Sequence, residues 1–188
     1  MLTNMPENPV LGDVFKRFPK GIEPLLAYHD VILRGPSPLT AAERELIAAF
    51  VSGLNACGFC YGAHTAIAEA LGIDENVFTV LMDEGIDNAP IDEKFKPVLR
   101  YVEILTKSPS SIRPSDSQAV RDAGWNDEAI HDAAVVCALF NFMNRLIEGT
   151  GITTNADIQA EQKNRQSSGA DVSNTPYMDY GRSLGLVD

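Results

Sequence analysis

Along the 188 residues, apolar positions recur every three to four residues rather than every second one. That period belongs to amphipathic helices, and no long run alternates as a strand would. The chain therefore reads as all-α. "IEPLLAYHDVILR" predicts a short helix ending at Gly35-Pro36. "SPLTAAERELIAAFVSGLNA" predicts the next, with Thr40 as N-cap and Glu43 completing a capping box. Another begins near Cys57 and stops at Leu71-Gly72, where Gly72 is placed as a C-cap. Two more cover about Asp74 to Glu84 and Asp92 to Lys107, the second starting late or kinking at Pro97. A short helix follows over 114–123. The longest, "NDEAIHDAAVVCALFNFMNRLIEG", is capped by Asn126 and closed by Gly149. Its middle is apolar nearly all round, which marks a buried central helix.

The two ends read differently. Residues 1 to 20 carry three prolines and are expected to be loop. After residue 152 the composition turns polar, with a last helix expected over 155–166. Beyond it an arm carrying Tyr177 and Tyr180 is expected to pack on a neighbouring subunit. The predicted organisation is a loop segment (1–20), a helical domain (21–152) and a C-terminal helix with an arm (153–188).

Composition narrows the partners. With 45% hydrophobic residues the chain can build an ordinary core. A net charge of −11 repels nucleic acid and anionic membranes. The first twenty residues lack an apolar signal core, and no run approaches the roughly 18 apolar residues of a spanning helix. The expectation is a cytoplasmic protein with no nucleic-acid or membrane partner. The three cysteines are Cys57, Cys60 and Cys137. An odd, small count argues against a secreted disulfide scaffold. A close pair in a reducing compartment points to redox chemistry or to metal.

That pair sits in "NACGFCYGAHTAIAEALG". Cys57 falls at a helix start and Cys60 in its first turn, where unpaired N–H groups and the positive dipole end favour thiolates. His64 follows Cys60 by four and shares its face, so an imidazole there can take or return a proton. Glu45 lies eleven residues before the turn near Ala56, and His64 eight after it. At about 1.5 Å per residue the two meet at one level if the helices form an antiparallel hairpin. Ala49, Ser52 and Ala56 give the first helix a stripe of small residues for that approach. A carboxylate, an imidazole and two thiols then form a proton relay ending on sulfur. A thiolate there can attack a peroxide O–O bond, its partner can close a disulfide, and an external thiol can restore both.

Other readings stay open at this point. "CxxCxxxH" offers three zinc ligands, and a zinc-stabilised binding module would need Cys137 or His131 as the fourth. A non-catalytic redox sensor would use the same disulfide to change assembly. Glu45 alone could simply be a first-turn carboxylate. His29 and His131 have no visible partner and read as structural or surface residues. Cys137 reads as a small buried hydrophobe. Asn141, Asn144, Arg145 and Glu148 form a polar stripe, read as an interhelix or intersubunit network, or as pocket-lining groups at Asn141 or Arg145.

"ERELIAAFVSGLNACGFCYGAH" resembles the alkylhydroperoxidase D (AhpD)-like, carboxymuconolactone decarboxylase-related pattern: Glu, a Cys-x-x-Cys beginning twelve positions on, then x-x-x-His. "FNFMNRLIEGTGI", "SPLTAAERE" and "SPSSIRPSD" resemble its peroxidase-related branch and extend the likeness over roughly residues 20 to 152. The resemblance implies an AhpD-like helical bundle with the CxxC at a helix N-terminus, homo-oligomers and thiol peroxidase chemistry without a cofactor or metal. By position it implies that Cys60 reacts with the peroxide, Cys57 resolves, and Glu45 and His64 serve as the relay. The implied partners are a hydroperoxide and a thiol or dithiol reductant. The best-known peroxidases of the family carry His just before the second cysteine. Phe59 stands there in this chain, so proton transfer to Cys60 falls to Glu45, His64 or water.

Overall fold

The computed structural model describes residues 2–152 and 173–188, and no strand occurs among them. The helices are α1 (Leu11–Arg17), α2 (Ile22–Arg34), α3 (Ala41–Leu54), α4 (Gly58–Ala70), α5 (Glu75–Asp83), α6 (Lys96–Lys107), α7 (Pro114–Asp122), α8 (Asp127–Thr150) and α9 (Pro176–Ser183). The fold is all-α, as expected.

Local chemistry sets several boundaries. Thr40 Oγ1 accepts from the Glu43 N–H at 3.2 Å, and the Glu43 carboxylate accepts from the Thr40 N–H at 2.7 Å. This reciprocal cap fixes where α3 begins. Asn126 caps α8 by accepting from the Ala129 N–H at 2.9 Å. Pro97 occupies the first turn of α6, where its missing N–H costs nothing, so that helix starts late rather than kinking. The end of α8 differs from expectation. Gly149 lies inside the helix, and Gly151, with φ of 81°, makes the left-handed cap.

The core lies around α3, whose residues from Arg44 to Ser52 are all buried. It packs most extensively on α4 and next on α8, which also covers α6. By length and composition α8 is long and apolar enough to cross a membrane, contrary to the expectation that no segment approaches that length. Its apolar side is the protein's own core: Ala133, Val136, Phe140 and Ile147 are each at most 1% exposed.

The ends correct the sequence reading. Residues 11–17 form a helix, because Leu11, Val14 and Phe15 make an inward face at i, i+3 and i+4 and the Asp13 carboxylate accepts from the Val10 N–H. The arm carrying Tyr177 and Tyr180 contains α9, which packs on α2 of its own chain. Asp30 of α2 holds its first turn, accepting from the N–H groups of Tyr177 and Met178 at 3.0 and 2.9 Å. The helix expected over 155–166 lies outside the described residues.

Candidate active site

The α3–α4 hairpin brings Glu45 and His64 together. His64 Nδ1 lies 2.6 Å from Glu45 Oε2. Both side chains are buried, Glu45 completely. An ionised Glu45 can only accept, so Nδ1 donates to it and Nε2 is the nitrogen left to exchange a proton. The turn between the helices is tight: Ala56 adopts a left-handed φ of 54°, and the Cys57 N–H returns to the Ser52 carbonyl at 2.9 Å.

A third group completes the cluster. Arg34, the last residue of α2, donates from Nη1 to Glu45 Oε1 at 2.6 Å. Burial opposes the charge on Glu45, but His64 and Arg34 outweigh it and hold the carboxyl below its usual range. Burial likewise opposes the Arg34 charge, and Glu45, Tyr177 and Asp30 together raise its pKa above the ordinary value. The sequence reading missed Arg34.

Cys57 is the N-cap of α4 and Cys60 lies in its first turn; both are reduced and buried. The two sulfurs are not equivalent. The neighbouring Cys60 thiol is the largest influence on Cys57 and lowers its pKa. Burial pulls against that, and the Cys60 N–H adds to it. Glu148 beside Cys57 pushes the other way. Cys60 is shifted upward because its proton is held by Cys57, because it is buried and because it faces the Cys57 charge. Asn144 donates toward Cys60 and offsets part of this. The two thiols are therefore shifted in opposite directions, Cys57 down and Cys60 up.

Access runs the opposite way. Cys60, His64 and Phe59 line a cavity of about 160 Å³, and Cys57 does not. Cys57 sits beneath α1, against Val14, Ile147 and Ile152. The rest of the cavity is largely apolar, with Leu11 and Phe15 from α1, Leu26 and His29 from α2, Phe140 and Met143 from α8, and Tyr177 and Tyr180 from α9. His29, read from sequence as structural or surface, thus belongs to the site. It continues the apolar stripe Ile22, Leu26, Leu33 of α2, a signal present in the helical spacing.

The remaining candidates lie apart. Cys137 is buried with its sulfur 3.2 Å from Thr106 Oγ1. His131 is exposed beside Asp132. Neither reaches Cys57 or Cys60, and no group of three His, Cys, Asp or Glu side chains suited to a metal occurs among the described residues. The polar stripe of α8 is an interhelix network. Asn55 donates to Asn141 and Asn144 at 3.1 and 2.9 Å, and Asn144 donates to Ser52 at 3.0 Å. Neither Asn141 nor Arg145 lines the cavity.

Residues 19–82 match the carboxymuconolactone decarboxylase family. No curated protein matches the chain. An uncharacterized peroxidase-related protein from Silicibacter sp. TM1040 is similar in structure, with 29% identity, a TM-score of 0.70 and 78% of each chain covered. An uncharacterized peroxidase-related protein from Ralstonia eutropha JMP134, described as an alkylhydroperoxidase AhpD core, aligns with 25% identity and a TM-score of 0.72 over 80% of this chain and 79% of that one. A protein of unknown function from Agrobacterium tumefaciens, described as a candidate AhpD antioxidant defence protein, shares the fold at 19% identity and a TM-score of 0.66, over 76% of this chain and 97% of that one.

Proposed function

We propose that this chain, which belongs to the AhpD-like, carboxymuconolactone decarboxylase superfamily, is a thiol-dependent hydroperoxide reductase that works through Cys57 and Cys60. One observation carries the reading: two buried, unbridged thiols at a helix start, one of them opening with an imidazole–carboxylate pair onto a largely apolar cavity.

The chemistry follows from the asymmetry of the sulfurs. The pair loses its first proton from Cys57, yet an oxidant in the cavity meets Cys60. Cys60 passes its proton to Nε2 of His64. Its sulfur then attacks the OH-bearing oxygen of the hydroperoxide. The O–O bond breaks, Cys60 becomes a sulfenic acid, and the departing alkoxide takes a proton from His64 to leave as alcohol. Cys57, having released its proton to solvent, displaces the hydroxyl group from the Cys60 sulfur; the leaving hydroxide takes up a solvent proton and departs as water as the disulfide closes. An external thiol or dithiol reduces that disulfide. One hydroperoxide and two thiols thus give an alcohol, water and one disulfide.

Arg34 and Glu45 position His64 and fix its tautomer. Phe59 adds no proton donor beside Cys60, which leaves His64 as the proton-transfer group on the cavity wall. The reading includes an assembly of several copies, which sedimentation equilibrium would measure. The decisive assay is steady-state consumption of cumene hydroperoxide with a dithiol donor. Wild type turns over, and Cys60→Ser loses activity by at least about a thousandfold while keeping its helical circular dichroism. Equal turnover in that variant overturns the reading. Stoichiometric zinc in protein purified without chelators would favour the metal-bound alternative instead.

A further inference from the structure

His29 is a nearly buried imidazole, 3% exposed, on the wall of the cavity that Cys60 and His64 share. Its Nδ1 lies 2.7 Å from the Leu25 carbonyl, which can only accept. Nδ1 must therefore carry the ring's proton, and Nε2 is left with a lone pair. Among the described residues Nε2 has no hydrogen-bond partner. Aromatic rings hold the imidazole in place: Tyr177 lies 4.8 Å from it and Phe140 6.2 Å, centroid to centroid. Phe140 also packs edge-on against His64 at 4.3 Å. The two histidines thus flank one phenylalanine on a wall whose other polar side chains are Arg34, Cys60, Tyr177 and Tyr180.

A buried nitrogen that can only accept selects for ligands that donate. A hydroperoxide has one donor, the O–H on the oxygen that sulfur attacks. Resting on the peroxidase reading, we propose that His29 binds the hydroperoxide by accepting that O–H at Nε2, holding the attacked oxygen in the part of the cavity that Cys60 lines. The organic group is left against the apolar walls. His29 is then a substrate-positioning residue. It keeps its proton on Nδ1 throughout, and the proton it accepts in hydrogen bonding stays on the oxygen that becomes the sulfenic acid. Burial keeps the ring neutral by lowering its pKa to about 4, which preserves the acceptor over the working range.

The test separates this proposal from the reaction. Histidine side-chain nitrogens of 15N-labelled wild type are followed by NMR during titration with 2-phenyl-2-propanol, the product alcohol of cumene hydroperoxide. The pyridine-type nitrogen of His29 shifts saturably as it accepts the alcohol O–H. Isopropylbenzene, the same skeleton without the hydroxyl, shifts the Met143 methyl but not that nitrogen. An unmoved His29 nitrogen, or equal movement with both ligands, overturns the proposal whether or not the protein turns over. Kinetics supply a second arm. His29→Leu raises KM for cumene hydroperoxide about tenfold with little change in kcat, and His29→Gln, which restores an acceptor, recovers most of it. Equal KM in the two variants also overturns the proposal. Absence of turnover in wild type, with the nitrogen shift intact, fails the peroxidase reading alone.

Discussion

Glu45 and His64 lie on two helices joined by three residues, whereas α1 and α9 reach the same cavity from opposite ends of the described chain. The hairpin holds its groups by charge. One buried carboxylate binds an arginine through one oxygen and a histidine through the other. The terminal helices close over them by fit. A Cβ at Gly12 would stand 2.9 Å from Leu184, and one at Gly181 2.6 Å from Leu26. The comparison separates reactivity from access. The hairpin sets which atoms can exchange a proton, and the ends set what can reach them.

The largest effect falls on the hairpin. Glu45→Ala leaves the Arg34 guanidinium buried without its carboxylate and is expected to cost about 3–5 kcal/mol in urea unfolding. The double variant Arg34→Met/Glu45→Met removes both charges and recovers most of that loss. Failure to recover would show that the cluster holds the hairpin by more than charge.

Next comes acid sensitivity at the junction of the two regions. Burial holds His29 near pKa 4, against 6.5 for the free side chain, with Leu25 and Glu45 opposing the shift and His64 reinforcing it. Between those values the unfolded chain binds more protons than the folded one. Stability therefore rises with pH across this window, and the contribution is lost as pH falls from 6.5 towards 4. For this one group the loss reaches about 3 kcal/mol. Stability curves of wild type and His29→Leu should converge in slope above pH 6.5 and diverge below it.

The cover is tested by Gly181→Val, which forces α9 away from Leu26 and Val187 at a cost of about 1–3 kcal/mol. Thermal melting reads the loss, and faster alkylation of Cys60 by iodoacetamide reads the opening. An unchanged alkylation rate would show that α9 does not limit access. The smallest effect belongs to the turn between α3 and α4. Ala56→Gly relieves a left-handed backbone, offset by a more flexible unfolded chain, for a net gain of less than about 1 kcal/mol by chemical denaturation.

The same division explains what could be read in advance. The bounds of α2, the Thr40–Glu43 box and the Asn126 cap depend on neighbours a few residues away, so the sequence contains them. Glu45 and His64 were reachable because a hairpin turns residue counts into distances. Arg34 was not, since its contact depends on how α2 crosses α3. Three prolines disguised α1, although Leu11, Val14 and Phe15 carried a helical signal. The cover by Tyr177 depends on Asp30 capping a helix from elsewhere in the fold, and no local pattern announces that. The inequality of the two sulfurs depends on which of them lines the cavity, which spacing does not supply.

Both oxygens of Glu45 are occupied, and its acidity is strengthened, so it is a poor place to leave a proton. Behind it stands a guanidinium that does not release one. The wire from sulfur to imidazole therefore stops in a cul-de-sac. A proton that His64 picks up has no route onward through the interior, and must go back out by the side from which it came.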